Sequence, residues 1–276
     1  MKIALIQLTS SDDPQNNIET VSTYFDQAAR LGADFILTPE VTNCVSTSRA
    51  RQDEVLRHEH DDPTLKALRE KVQKTGIMTL VGSLALKTED ADGRFANRSF
   101  LLDPQGEIAA RYDKIHMFDV TVSETETYQE SRGYRPGARG VLAETDLLKI
   151  GLTICYDIRF PNLYRALAQQ GADILTVPSA FSPVTGAAHW ETLLRARAIE
   201  TGAFILAPAQ TGLHAAKTGT PRKTYGHSMV ISPWGEVLAD AGEDPGVICV
   251  DINLSEVETA RGRIPSLRQE NWFEGP

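Results

Sequence analysis

The sequence predicts an α/β protein built as a four-layer α-β-β-α sandwich of two pseudo-equivalent halves. Three pairs of similar segments carry that expectation. KIALIQL at 2–8 is similar to KIGLTIC at 149–155, GADFILTPE at 32–40 to GADILTVPSA at 171–180, and SFLLDPQGEIAA at 99–110 to SMVISPWGEVLA at 228–239. In both halves the order is strand, helix, Gly-Ala-Asp, strand, proline and a later hairpin. Each half therefore reads as a sheet with helices on one face, and two such sheets bury their remaining faces against each other.

The elements follow in order. Residues 2–8 form the first strand. Asp12 or Asp13 caps a helix with Pro14 in its first turn, Ile18, Val21, Phe25 and Ala28 supply its apolar face, and Gly32 ends it. Residues 33–38 form a strand that stops at Pro39-Glu40. The stretch beyond, including His58-Glu59-His60, is polar and irregular. A helix starts at Asp62-Pro63, shows Leu65, Leu68 and Val72, and ends at Gly76. Strands follow at 77–86 and 95–102, the turn Asp103-Pro104-Gln105-Gly106 reverses the chain, and 107–112 pairs back. Residues 113–139 read as a long functional loop. The second half brings a strand at 149–154, a helix from about Pro161 to Gln170, a strand at 173–177, a loop at 178–188 and a helix at 189–200. A strand at 203–209 leads to a flexible Gly/Thr/Lys stretch ending at Lys223. Strands at 228–231, 236–239 and 246–252 close the sheets, and Ser255 caps a last short helix.

Bulk properties narrow the function. The chain has 276 residues, 41% hydrophobic and 24% charged, with a formal net charge of −9. That size suits one large domain or two small ones. The acidic balance and the lack of a basic patch with interleaved aromatics argue against nucleic acid as a partner. No long uncharged apolar run suggests a membrane span, and the N-terminus reads as a strand rather than a secretion signal. Cys44, Cys155 and Cys249 are an odd, sparse set with no CxxC pair. They suggest no disulfide framework and no structural zinc, and fit a reducing cytoplasm.

The stretch with most chemistry is KIGLTICYDIRFP at 149–161. Cys155 follows a buried strand and precedes a helix start at Pro161. A thiol at such a bend is pushed clear of the sheet, where helix N–H groups and dipole favour the thiolate. The same placement suits a buried cysteine acting as a small hydrophobe, and position alone leaves the two readings comparable. A thiol nucleophile also needs a base and an oxyanion stabiliser. Glu40 ends a buried strand behind a proline, where a carboxylate is costly unless used or paired; it could equally cap the loop at the sheet edge. Lys114 sits among apolar neighbours in YDKIHMF, either a placed ammonium or an exposed strand-end lysine. Glu130 alone reads as a solvated charge. His116, His189 and His227 flank elements, so a Cys–His pair stays open, with packing roles as the plainer reading. His58 and His60 could be weak metal ligands, or a solvated loop.

Together these residues resemble a known family. Glu40 in LTPE, Lys114 in YDKIHMF and Cys155 in ICYDIRFP resemble the Glu-Lys-Cys triad of the nitrilase superfamily of carbon–nitrogen hydrolases, and YQES resembles its second glutamate motif, at Glu130. The resemblance spans nearly the whole chain and implies one hydrolase domain over 1–276. PSAFSPVTGAAHWETLLRARAIE and YGHSMVISPWGEV are similar to the branch of deaminated-glutathione amidases and omega-amidases. SAF followed by VTG, and APAQTG followed by YGHSM, lie nearer the deaminated-glutathione side. Residues 213–224, LHAAKTGTPRKT, depart from that branch in length and composition.

The resemblance implies a cysteine thioester mechanism with Cys155 as nucleophile, Glu40 as acid–base, and Lys114 with the Tyr156 backbone N–H holding the oxyanion. Glu130 would orient Lys114 or the substrate. Substrate-facing positions are implied at Tyr156, Phe118, Ser179, Ala180 and Phe181. No metal or organic cofactor is implied. Arg195 and Arg197 are candidates for a distal carboxylate, on a helix that also suits assembly, and a homodimer or higher homo-oligomer is expected. Lys217, Arg222 and Lys223 give the departing loop positive charge, so it reads either as a segment at the pocket mouth receiving the far carboxylate of an anionic amide or as a surface insertion with solvated lysines. The expected activity is hydrolysis of the omega-amide of a small carboxylate or keto acid. The alternatives are an omega-amidase for alpha-ketoglutaramate, a nitrilase or carbamoyl-amide hydrolase, and a non-catalytic binding protein of the same fold.

Overall fold

In a computed structural model, which describes residues 1–122, 126–145, 148–269 and 274–275, two six-stranded sheets form the centre of the molecule. The first half contributes β1 (Lys2–Gln7), α1 (Pro14–Arg30), β2 (Phe35–Leu37), α2 (Arg49–Val55), α3 (Pro63–Thr75), β3 (Met78–Leu86), β4 (Ala96–Leu102) and β5 (Ile108–Asp113). A crossover holds the short hairpin β6 (Asp119–Thr121) and β7 (Thr127–Gln129). The second half runs through β8 (Val141–Glu144), β9 (Lys149–Leu152), α4 (Pro161–Gln169), β10 (Ile174–Thr176), α5 (Pro183–Thr201) and β11 (Phe204–Ala207). A second hairpin, β12 (Thr211–Leu213) and β13 (Lys223–Tyr225), precedes β14 (Met229–Ile231), β15 (Val237–Asp240), β16 (Gly246–Asp251) and α6 (Ser255–Arg263).

The halves repeat each other strand for strand. The first sheet is ordered β16-β1-β2-β3-β4-β5 and the second β8-β9-β10-β11-β14-β15. In each, three central strands run parallel and the flanking ones antiparallel. The repeated sequence motifs make repeated hydrogen bonds. Asp34 accepts from Lys2 N at 2.6 Å and Asp173 from Lys149 N at 2.9 Å, each tying a Gly-Ala-Asp turn to the first strand of its half. In the hairpin turns Asp103 Oδ1 accepts from Glu107 N at 2.9 Å and Ser232 Oγ from Glu236 N at 3.1 Å. Both turns need a left-handed residue, and glycine supplies it at Gly106 (φ 76°) and Gly235 (φ 88°).

Side-chain alternation then builds the layers. Ile3, Leu5, Phe35 and Leu37 face the second sheet, whereas Ala4, Ile6 and Ile36 face α1 and α3 with Val21, Phe25, Leu68 and Val72. On the far side α4 and α5 cover the second sheet, with Tyr164, Leu167, Trp190 and Leu194 in the same core. The four-layer α-β-β-α arrangement follows directly.

Several elements differ from the sequence expectation. The polar stretch after Glu40 contains α2, capped by Ser48, whose hydroxyl accepts from Arg51 N at 3.3 Å. Residues 113–139 hold β6 and β7, and the Gly/Thr/Lys stretch holds β12 and β13. The helix expected at 189–200 starts six residues earlier, at Pro183, where proline needs no N–H partner. Ser255 lies inside α6, and Asn253 Oδ1 accepts from its N–H at 3.2 Å.

Candidate active site

The parallel strands of both sheets end at one edge, and the candidate residues gather there. Glu40 follows β2 across Pro39. Its segment is pinned by Val41 N donating to Ser83 Oγ at 2.8 Å and by Gln210 Nε2 donating to Glu40 O at 3.0 Å. Gly82 allows this approach, because a Cβ there would stand 1.9 Å from Thr38 O. Lys114 follows β5, and its N–H donates to Asn97 O at 3.0 Å. Cys155 follows β9 in a 3-10 turn with φ 49°, a left-handed conformation costly for any side chain, about 1–3 kcal/mol. Its N–H donates to Pro178 O at 3.0 Å, and Ile154 N donates to Asp157 Oδ2 at 2.8 Å.

Glu40, Lys114 and Glu130 form a chain of charges. Lys114 Nζ donates to Glu40 Oε1 and to both oxygens of Glu130, each at 2.9 Å. Glu40 Oε1 also accepts from Asn97 Nδ2 at 2.8 Å, and Oε2 accepts from Ala180 N at 2.8 Å. Phe118 N donates to Glu130 Oε2 at 2.7 Å, fixing that carboxylate at the base of the β6–β7 hairpin. Lys114 is 2% exposed and Glu40 4%, so these charges interact through protein rather than water.

Burial pushes the Glu40 carboxyl up, and the charge and hydrogen bond of Lys114 overcome that, holding it below its ordinary value. Burial pulls the Lys114 ammonium down, and Glu130 then Glu40 overcome it, holding it well above. The Cys155 thiol is pushed well up, by burial first and the Glu40 carboxylate second. Both directions favour a neutral thiol and an ionised carboxylate in the resting site. This corrects the expectation of a thiolate favoured by a helix start. α4 begins only at Pro161, beyond the 3-10 turn, and at the sulfur burial and the Glu40 carboxylate outweigh the Lys114 ammonium.

Above the thiol lies a cavity of about 500 Å³. Phe118, Tyr156, Ala180 and Phe181 line it, together with Glu40, Lys114, Glu130 and Cys155. Phe118 meets Tyr156 edge-on at 5.0 Å between ring centres. Ser179 does not line the cavity. It is fully buried behind the wall, its hydroxyl donating to Val177 O at 3.0 Å. Arg195 and Arg197 do not line it either. Arg195 Nε donates to Gly235 O at 2.9 Å, and Arg197 Nε donates to Ile158 O at 2.8 Å, bracing the turn after Cys155. Of the departing loop, Arg222 reaches the cavity and Lys223 is exposed away from it. None of His116, His189 and His227 lines the cavity. His116 Nδ1 meets Asp157 Oδ1 at 2.7 Å and His227 meets Asp240 at 3.0 Å. His58 and His60 pair with Glu89 and Asp61, and among the described residues no group of three His, Cys, Asp or Glu could hold a metal.

Sequence reasoning passed over Asn97 and Asp157. Asn97 is a buried amide in the polar first half of β4, beside Arg98 and Ser99, and that break in an otherwise core-bound strand was its signal. Asp157 is fully buried and accepts from Tyr112 Oη at 2.6 Å, from His116 N at 3.1 Å and from Ile154 N. It joins the Cys155 turn to the segment carrying Lys114. Its signal was a carboxylate two residues past the cysteine.

This edge site on a doubled α/β sandwich is shared with known proteins. Residues 2–262 match the family described as carbon-nitrogen hydrolase, and the chain belongs to that family. It is a hydrolase acting on amides. A protein named deaminated glutathione amidase from Yersinia enterocolitica is 38% identical over 272 residues, covering 98% of this chain and 93% of the relative. The structure of the NitFhit protein of C. elegans superposes with a TM-score of 0.89 at 34% identity; it covers 98% of this chain, which spans 64% of that longer protein. An amidase from Nesterenkonia sp. AN1, solved as a glutamate-to-glutamine variant with acrylamide added at its active-site cysteine, superposes at 0.76 with 26% identity, covering 96% of this chain and 98% of that one.

Proposed function

We propose that the protein is a thiol amidase that cleaves the amide of deaminated glutathione, or a close relative of it, into a keto acid and an amine. The observation that carries this reading is the buried Glu40–Lys114–Glu130 chain of hydrogen bonds lining the same cavity as Cys155. As Cys155 Sγ bonds to the amide carbon, Glu40 takes the thiol proton. Lys114 faces the developing oxyanion with its charge. The Tyr156 N–H, between Cys155 N–H spent on Pro178 O and Asp157 N–H spent on Ile154 O, supplies a donor. Glu40 passes its proton to the departing nitrogen as the C–N bond breaks, leaving a thioester. It then takes a proton from water as the water attacks, and the acid leaves with the thiol restored. Glu130 holds Lys114 in place through both carboxylate oxygens. Phe118, Tyr156, Ala180 and Phe181 pack the substrate.

Release of keto acid and cysteinylglycine from deaminated glutathione, followed beside ammonia release from alpha-ketoglutaramate, tests the reading. Turnover of the first well above the second is expected. No release from either, or equal release by Cys155→Ala, refutes it.

We further infer one hydrolase domain over 1–276, located in the cytoplasm and assembled as a homodimer or higher homo-oligomer. No described helix is long and apolar enough to cross a membrane. β16 returns to pair with β1, joining the two ends of the fold. Ile199, Trp234 and Ile264 expose apolar surface around one cleft, which suits assembly. A monomeric mass by analytical ultracentrifugation at micromolar concentration would remove the oligomer.

A further inference from the structure

Three arginines line the cavity, and they differ in how their charges are answered. Arg49 pairs with Asp53 at 3.2 Å, donates to Gly133 O at 3.1 Å and lies 3.8 Å over the Phe95 ring, so it is committed to structure. Arg222 has no carboxylate partner among the described residues. Its Nη2 donates to Ala180 O, its guanidinium lies 5.7 Å from the Tyr128 ring centre, and its Nε is buried with no acceptor. Arg132 stands exposed at the rim, also without a carboxylate partner among the described residues. A partly buried guanidinium with no carboxylate partner is costly, and an anion arriving with the substrate would answer its charge.

We propose that Arg222 and Arg132 read two substrate carboxylates at different depths, Arg222 the one on the acyl side of the scissile amide and Arg132 the one on the leaving amine. This rests on the amidase reading above and adds the direction in which the substrate lies. The order of events sets that direction. After the C–N bond breaks, the acyl part stays on Cys155 until water arrives, while the amine has to leave first. The group that leaves first lies nearer the opening, so the rim cation faces the amine and the inner cation faces the acyl chain. Arg222 sits just before β13, in the segment that follows β12, so that segment supplies the inner cation. The fitting substrate is an amide with one carboxylate on its acyl chain and another on an amino-acid or peptide amine. The cavity's apolar side walls, Phe118 and Phe181, cover the chain between them.

The test uses deaminated glutathione, its keto-acid-side methyl ester, its glycine-side methyl ester and the diester, with kcat/KM measured for wild type, Arg222→Gln, Arg222→Lys and Arg132→Gln. Arg222→Gln is expected to lower the preference for a free over an esterified keto-acid side about 10–100-fold, the range of a charge-assisted contact. Its preference at the glycine side should hold. Arg222→Lys should restore part of the lost preference. Arg132→Gln should act at the glycine side alone and more weakly, about 2–5-fold, because the rim is solvated. Using ratios removes any general effect of Arg222 on Glu40, which slows all four substrates alike. A uniform loss across the four with Arg222→Gln overturns the proposal, as do effects that land on the opposite ends. Wild type that cleaves all four equally also overturns it while leaving the amidase reading intact. Wild type that cleaves none refutes that reading and this one together.

Discussion

Replacing Asn97 by leucine should move the acid limb of the pH–rate profile upward. Asn97 lies on β4, 2% exposed, and its Nδ2 donates to Glu40 Oε1 at 2.8 Å and to Glu130 Oε1 at 3.5 Å. Its Oδ1 has no partner, so leucine, of the same branched shape though bulkier, removes the donor without orphaning another group. A hydrogen bond to a buried charged acceptor stabilises the charged form by about 1.5–3 kcal/mol. One pH unit corresponds to about 1.4 kcal/mol, so Glu40 should titrate about one to two units higher in the variant. The direction follows from the role. In the proposed mechanism Glu40 accepts the thiol proton only when ionised, and Lys114 holds it below its ordinary 4.5 against the effect of burial. Wild-type kcat/KM should therefore stay flat on the acid side until pH falls through that lowered value. The variant should begin to fall at higher pH, with a plateau near the wild-type rate once Glu40 is fully ionised. The assay is kcat/KM for deaminated glutathione between pH 4 and 8, with circular dichroism at each pH to separate titration from unfolding. An acid limb that does not move, in a folded variant, would refute the argument that Asn97 tunes the base.

Three further outcomes are expected. Cys155→Ala should abolish turnover and keep the fold, since alanine meets the same left-handed backbone at φ 49°; Cys249→Ala should stay active, and so should Cys44→Ala, whose thiol burial pushes up to about 12. Turnover assays and thermal melts check both. Glu40→Gln should slow acylation and deacylation alike, by about 10²–10⁴-fold, because one carboxylate serves both steps; a stopped-flow burst of amine release with normal amplitude and rate would show another base at work. Asp157→Asn should cost about 1.5–3 kcal/mol in urea unfolding, since the asparagine cannot accept from Tyr112, His116 and Ile154 together; an unchanged midpoint removes Asp157 as the tie between the Cys155 turn and the Lys114 segment.

The fold was legible because its signals are local and doubled. Gly-Ala-Asp, the Pro-Gln-Gly and Pro-Trp-Gly turns and the apolar strands each repeat, and each repeat makes the same hydrogen bond in its own half. The short hairpins β6–β7 and β12–β13 were illegible, since three-residue strands held mainly by tertiary contacts leave no periodicity to read. At the site, Glu40, Lys114, Glu130 and Cys155 were singled out because their motifs resemble a family, and the structure brings all four to one cavity. Their protonation was not, because it depends on contacts between residues 40, 114 and 130 that the chain order hides. Arg195 and Arg197 looked like ligands from their helix sequence, yet their carbonyl partners at Gly235 and Ile158 turn them away from the cavity.

The doubled fold also explains why the chemistry needs both halves. By the repeats, Cys155 is the counterpart of Leu8, and Glu40 the counterpart of Ser179. Leu8 is buried in the apolar core, and the Ser179 hydroxyl is spent on its own backbone at Val177 O. Each half thus carries one reactive group where the other carries a silent one. The two sheets pack with these strand ends together, so the proposed base of the first half meets the proposed nucleophile of the second. The Ala180 N–H from the second half in turn binds Glu40 Oε2 at 2.8 Å, fixing the base across the sheet-to-sheet seam. A change that slides one sheet against the other separates acid–base group from nucleophile before it exposes the core. Loss of turnover should accordingly precede loss of secondary structure as denaturant rises, and coincident transitions in the two signals would count against a site held by that seam.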